Sequence, residues 1–195
     1  MRTMKVKRAI IFLLAIGLMV VVTGCARWPY EPGPEPETDY QLEITVEVAG
    51  TINSYDGIYY IVLDADGNSA TGPGYDISFW DDRFYYIKLE DGFFDFAQNE
   101  EGSSEISLTS SSIGENKFQV TIALSDLGVP SDIDFSIDIN VITTDSENNT
   151  YDHLDWYFTI STDLGSAGEG VISGGGTGGA DFDITKVSAR IITLY

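Results

Sequence analysis

Three side chains bearing hard oxygen atoms stand on alternate positions in YIVLDADGNSATGPGYD, residues 60–76: Asp64, Asp66 and Asn68. A run of large apolar residues stops at Asp64, and glycines are interspersed among the residues after it. Oxygens at i, i+2 and i+4 on a turning backbone can be aimed at one point, and calcium takes six to eight such ligands, main-chain carbonyls included. Asp76 would close the set from the far end of the loop. An EF-hand is excluded, because Ser69 stands where its loop needs glycine and Tyr75 where it needs glutamate. The same residues also read as turn formers whose side chains cap the backbone. The loop therefore either holds a structural calcium ion or only reverses the chain.

Tryptophan supplies a second kind of chemistry. A flat indole offers an apolar face to a sugar ring while nearby carboxylates and amides take its hydroxyls. Trp80 is followed by Asp81, Asp82 and Arg83, and Trp156 lies between Asp155 and Tyr157. Both also suit the core of a β protein; Trp80 is the better platform of the two, being beside the charged turn WDDR. Trp80, Asp81, Arg83 and Trp156 are the expected ligand-binding residues. Catalysis fits poorly: His153 is the only histidine, and no G-x-S-x-G or comparable nucleophile signature accompanies it. A carboxylate pair for glycoside hydrolysis is defined by separation in space, which residue order does not supply, so no catalytic residue is assigned. The glycine-rich stretch 165–181 lacks the lysine and the following helix of a phosphate cradle.

These residues must be carried on something exported. The chain opens with Arg2, Lys5, Lys7 and Arg8, continues as an apolar stretch from Ala9 to Val22 and ends that segment in small residues, the layout of a secretion signal. The apolar stretch falls short of the roughly 20 residues a spanning helix needs. The sequence VTGC, Val22 to Cys25, resembles the lipobox of bacterial lipoproteins, in which the cysteine is lipidated and becomes the new N-terminus. Cys25 is also the single cysteine, so neither an internal disulfide nor a thiolate zinc cluster can form. The resemblance implies a signal peptide over 1–24, an acylated Cys25, and a protein held on the exported side of the cell membrane or the outer membrane. Ala26, where an aspartate would retain a lipoprotein at the inner membrane, favours the outer one if two membranes exist.

Loss of residues 1–24 removes four of the ten basic residues, leaving 6 against 31 acidic ones and a formal charge of −25. Such a surface repels phosphate backbones, which excludes nucleic acid as a partner. Cations, neutral sugars and basic patches on envelope proteins remain, and the charge also keeps an exported domain soluble. From Cys25 to Tyr40, four prolines alternate with glutamates, a composition that favours an extended polyproline II tether.

Residues 41–195 form one domain long enough for a sizeable core. LEITVEVAG, KFQVTIAL and FSIDINVITT alternate apolar with polar positions, the pattern of half-buried strands. GIYYIVLDAD and RFYYIKLEDG are apolar at nearly every position, as strands covered on both sides are. With FFDFA, EISLTS, LDWYFTIS and DFDITKVSARIITLY they make about nine strands, separated by turn signals such as Asp91-Gly92 and Asn148-Asn149. The helical candidate is one short turn at Ser125–Leu127, ended by Gly128 and Pro130. Many short strands without intervening helices indicate an all-β antiparallel sandwich of jelly-roll or immunoglobulin-like type. The glycine-rich stretch 165–181 reads as a mobile loop, since glycines bury no side chains and lose most entropy on ordering.

The order YYIVLDADGNSATG, an aromatic strand pair, then FQVTIALSDLGVPSDIDFSIDINVITTD resembles the β-sandwiches of family 9 carbohydrate-binding modules and the DOMON group. It covers roughly Leu42 to Asp145. The resemblance implies a non-catalytic module that binds carbohydrate or glycan, with calcium stabilising a loop; the alternative is a structural or protein-interaction module of the cell envelope, and behind both stands a glycan-active enzyme. Some DOMON relatives bind haem through Met and His, but Met1, Met4 and Met19 all depart with the signal, so Met/His ligation is excluded and no haem is expected.

The anchor is directly testable. Cys25→Ser is expected to abolish incorporation of labelled acyl chains such as palmitate and to move the chain from the membrane to the soluble fraction. An unchanged membrane fraction would contradict the lipidated cysteine.

Overall fold

The computed structural model describes residues 40–129, 135–172 and 174–193. The expected signal peptide, Cys25 and the tether up to residue 39 lie outside these. Twelve strands are formed where about nine were expected: β1 (Tyr40–Val48), β2 (Ile58–Asp64), β3 (Tyr85–Glu90), β4 (Phe93–Gln98), β5 (Ile106–Ser107), β6 (Ser111–Ile113), β7 (Lys117–Ala123), β8 (Ser136–Thr144), β9 (Thr150–His153), β10 (Phe158–Ser161), β11 (Ala167–Glu169) and β12 (Ile184–Thr193). The additional ones, β6, β9 and β11, are pieces of three or four residues, too short for alternation to reveal. Two 3-10 turns accompany them. Leu124–Leu127 is ended by Gly128 in the left-handed region, near the expected place. Ile77–Phe79, begun by Asp76, was not expected.

Two antiparallel sheets face each other. One runs β11-β12-β1-β7-β6; the other runs β10-β8-β2-β3-β4-β5, with β9 also paired to β8. The alternation in β1 puts Leu42, Ile44, Val46 and Val48 inward, and β7 answers with Phe118, Val120 and Ile122. Tyr59, Ile61 and Leu63 of β2 meet them from the seven-stranded sheet, beside Ile137, Ile139 and Val141 of β8. Tyr59 is fully buried. Its hydroxyl donates to Asp181 O at 2.8 Å and accepts from Asn53 N at 2.9 Å, and its ring stacks on Phe182 and meets Phe118 edge-on. Burial pushes its phenol up to about 12, so it stays a neutral donor.

The five-stranded sheet leaves its outer face to solvent and polar residues. The seven-stranded sheet does not: all seven positions of β2 are buried. Its outward residues Ile58, Tyr60 and Val62 form a second apolar cluster with Ile142, Trp80 and Phe84. The last two come from the connection 65–84, which lies across that face. The doubly covered strand expected from GIYYIVLDAD is thus present, and a single connection covers its second side.

The glycine-rich stretch departs from expectation. Rather than a loose loop, it supplies β11 and then lies against aromatic and aliphatic side chains. A Cβ on Gly178 would stand 2.4 Å from the Tyr151 ring, one on Gly176 2.6 Å from Asp152 Cβ, and one on Gly170 2.7 Å from Leu154. At Gly170, Gly176 and Gly178 the chain passes closer to its neighbours than any side chain permits.

Gly178→Ala is therefore expected to destabilise the domain by about 1–3 kcal/mol through overpacking. Gly74→Ala, whose Cβ meets nothing within 4 Å, should change stability by less than about 0.5 kcal/mol. Denaturant unfolding of the two variants checks the contrast; equal effects would refute close approach as the reason for Gly178.

Candidate functional site

The connection between β2 and β3 begins as a relay of side-chain caps. Asp64 Oδ1 accepts the Asp66 amide at 3.1 Å, Asp66 Oδ1 the Asn68 amide at 2.7 Å, and Asn68 Oδ1 the Ala70 amide at 3.3 Å. Each oxygen satisfies the backbone two residues on, so the turn-former reading of these residues is realised. Asp76 does comparable work elsewhere: its carboxylate accepts from Ser78 N at 3.0 Å and Ser78 Oγ at 2.6 Å, starting the Ile77–Phe79 turn. Among the described residues no three carboxylate, histidine or cysteine side chains are grouped so as to hold a metal. Asp64, Asp66 and Asp76, three of the four residues expected for calcium, form no such group, and Asn68, the fourth, caps Ala70.

Asp64 has a different neighbour. It is the register partner of Asp138 on β8, and each is only 3 % exposed. Thr159 Oγ1 donates to Asp138 Oδ1 from β10. Asn140, two residues along β8 on the same outward face, is equally buried; its Nδ2 donates to Pro73 O at 2.8 Å, while its Oδ1 has no partner. The alternation in FSIDINVITT had put Asp138 and Asn140 on the polar side. That side is covered by the connection 65–84, so both are trapped under it. Burial, with the nearby Asp66 charge, pushes the Asp64 carboxyl up to about 6, and burial pushes Asp138 in the same direction.

The two tryptophans stand in opposite situations. Trp80 is 9 % exposed: its indole N–H donates to Gly74 O at 3.0 Å, Tyr60 meets it edge-on at 5.5 Å, and Tyr86 lies at 6.3 Å. The expectation that Trp80 is the better sugar platform is corrected, because the apolar outward face of β2 needs this ring as its lid. Asp81 and Arg83 form a two-bond pair with each other, Nε and Nη2 at 3.0 Å from the two carboxylate oxygens, and Arg83 also lies 3.7 Å from Asp66. The guanidinium holds the Asp81 carboxyl well below the usual range. Asn99 Nδ2 reaches the carbonyls of Trp80 and Asp81, fixing the turn to β4.

Trp156, by contrast, is 70 % exposed. It stacks on Tyr157 with ring centroids 5.5 Å apart and planes 29° apart, and its backbone bridges to Val171. Tyr157 is fixed in turn. Its ring covers Gly72, whose Cβ would stand 2.5 Å away, and its hydroxyl donates to Ser69 O at 3.2 Å. Three residues beyond Gly72, Tyr75 is half exposed and stacks flat on His153 at 4.3 Å. His153 Nδ1 lies 2.7 Å from Leu154 O, an acceptor, which puts the proton on Nδ1. Two aromatic pairs are thus presented where the connection 65–84 meets the residues around β9 and β10. From the sequence Tyr157 entered only as a neighbour of Trp156 and Tyr75 only in the EF-hand comparison, neither as a ligand-binding residue; the signal was aromatic next to aromatic in DWY, and glycine before tyrosine in PGY.

The open face of the five-stranded sheet holds a groove of about 300 Å³ lined by Glu43, Thr45, Gln119, Ser188, Arg190 and Glu169 among others, none of them aromatic. Glu43 forms its floor, accepting from Gln119 Nε2 at 2.6 Å and Arg190 Nε at 2.5 Å. Set against protein-family models, curated proteins and solved structures, the chain matches none.

Buried carboxyls with raised affinity for protons make stability depend on pH with a definite sign. The contribution of Asp64 is fully present below its unfolded value, about 4, and is lost as pH rises through about 6. Asp138 acts in the same sense. In chelator, the Asp64→Asn variant should therefore lose less stability than the parent chain between pH 4 and pH 7, measured by denaturant unfolding across that range. An identical slope in both would show that Asp64 is not desolvated.

Proposed function

We propose that this chain is a lipid-anchored, exported binding module, non-catalytic, whose β-sandwich takes carbohydrate on the exposed Trp156–Tyr157 pair. The observation that carries this reading is the exposure of Trp156: a large ring, 70 % open to solvent, on a tyrosine that is itself pinned to the 65–84 connection. Rigid aromatic anchors lose little freedom on binding, so they convert contact area into affinity efficiently. A sugar stacked there would find hydroxyl partners in Tyr157 and the second aromatic pair, Tyr75 and His153. The charge of −25 on the mature chain favours neutral glycans over anionic ones. His153, the single imidazole, has one nitrogen committed to a carbonyl and its ring under Tyr75, an arrangement that supports recognition rather than proton transfer.

The two tryptophans separate binding from folding. Trp156→Ala is expected to weaken binding on a neutral-glycan array by about tenfold or more while leaving the unfolding midpoint within about 1 °C of the parent, since the side chain is outside the core. Trp80→Ala should instead cost about 3–5 kcal/mol of stability by opening a cavity under the lid. Absence of glycan binding by the parent chain, together with capture of a basic envelope protein, would replace this reading with that of an envelope assembly module.

A further inference from the structure

The oxygens trapped beneath the 65–84 connection are in an arrangement that polypeptide alone leaves incomplete. Asp64 and Asp138 face each other across adjacent strands, where like charges are unfavourable, and both are 3 % exposed. The ion pairs among the described residues go to other carboxylates: Arg83 to Asp66 and Asp81, Lys88 to Glu90 and Glu105, Lys186 to Glu169, Arg190 to Glu43. One rung along, the Asn140 amide is oriented by Pro73 O, which can only accept; its nitrogen must face that carbonyl, leaving Oδ1 as a buried acceptor without a donor. A buried unsatisfied oxygen beside two buried carboxylates is a surplus of acceptors, and a cation removes it.

We propose that Asp64, Asp138 and Asn140 Oδ1 are the protein ligands of one hard divalent cation of the calcium class, seated between β2 and β8 under the connection. Carboxylate and amide oxygens are the donors such ions select, with water and carbonyls completing six to eight positions. This differs from an ion in the exposed turn, where the Asn68 and Asp76 side chains already cap backbone amides. The Asp66 amide and Thr159 hydroxyl each donate to one oxygen of their carboxylate, orienting the group rather than neutralising it. An ion there would tie the end of β2 to β8 and, through the Asn140 bond to Pro73, hold down the loop that carries Tyr75. It is independent of what the aromatic pairs bind.

The test uses the full-length chain, stripped with chelator and titrated with calcium alone, then with magnesium alone, followed by thermal unfolding. Calcium at about a hundred times its Kd should raise the midpoint by about 5–10 °C. Asp138→Asn and Asp64→Asn should each abolish that rise, yet be at least as stable as the parent in chelator at pH 7, because the repulsion is gone. Asn68→Ala and Asp76→Ala should keep the rise. A parent chain that does not respond to either ion overturns the proposal in favour of two carboxyls sharing a proton. A response that survives Asp138→Asn but is lost with Asn68→Ala or Asp76→Ala overturns it in favour of the exposed turn.

Discussion

Strand β2 is buried at every position, and the rest of the molecule is arranged around that constraint. A sandwich of two sheets covers one face of each; here the seven-stranded sheet carries Ile58, Tyr60 and Val62 on its other face as well, and water cannot be left against them. The connection 65–84 meets the requirement with Trp80, Phe84 and Ile77, closing a second, smaller cluster. Because that connection is irregular chain lying on a sheet, its polar groups need partners of their own. The relay from Asp64 through Asp66 and Asn68 to Ala70, the Asp76 cap and the Trp80 bond to Gly74 supply them.

Covering the sheet has a cost at its end. The outward face of β8 begins apolar at Ile142 but continues to Asn140 and Asp138, and the lid that protects the first also desolvates the others. Meanwhile the ion-paired cations among the described residues are committed to other carboxylates. Lys88 sits between Glu90 and Glu105, and Arg190 on Glu43. Burial works against the Lys88 ammonium, yet its two carboxylates outweigh that and keep it protonated above its ordinary range. Pairs of this kind add little net stability; their effect is local neutralisation. No ion pair among the described residues reaches Asp64 or Asp138, which distinguishes a functional candidate from the general acidity of the surface.

The fold was legible where one face of a strand is wet. In β1 and β7 the apolar positions stand on alternate residues, and their inward placement follows from that period alone. Asp91-Gly92 reads as a tight hairpin, and both residues take positive φ, as a two-residue turn between twisted strands requires. Legibility failed for β6 and β11, whose three residues each pair only because a longer strand offers an edge. It failed for Gly170, Gly176 and Gly178 as well: absence of side chains signals freedom when a neighbour is far away and close approach when it is near, and composition is the same in both cases.

What the residues determined on their own was local or additive: the single cysteine, the acidic charge, the two-residue period, and the turn-forming chemistry of Asp64, Asp66 and Asn68. What only the tertiary structure decided was which polar residues lose their water. Asp138 and Asn140 alternate with apolar residues just as Glu43 and Thr45 do, yet the first two are buried and the second two line an open groove. Likewise Trp80 is a core lid and Trp156 an exposed platform, though both sit beside acidic residues. The difference arises from a chain segment distant in sequence that covers one sheet and leaves the other bare, and no local pattern encodes where such a segment comes to rest.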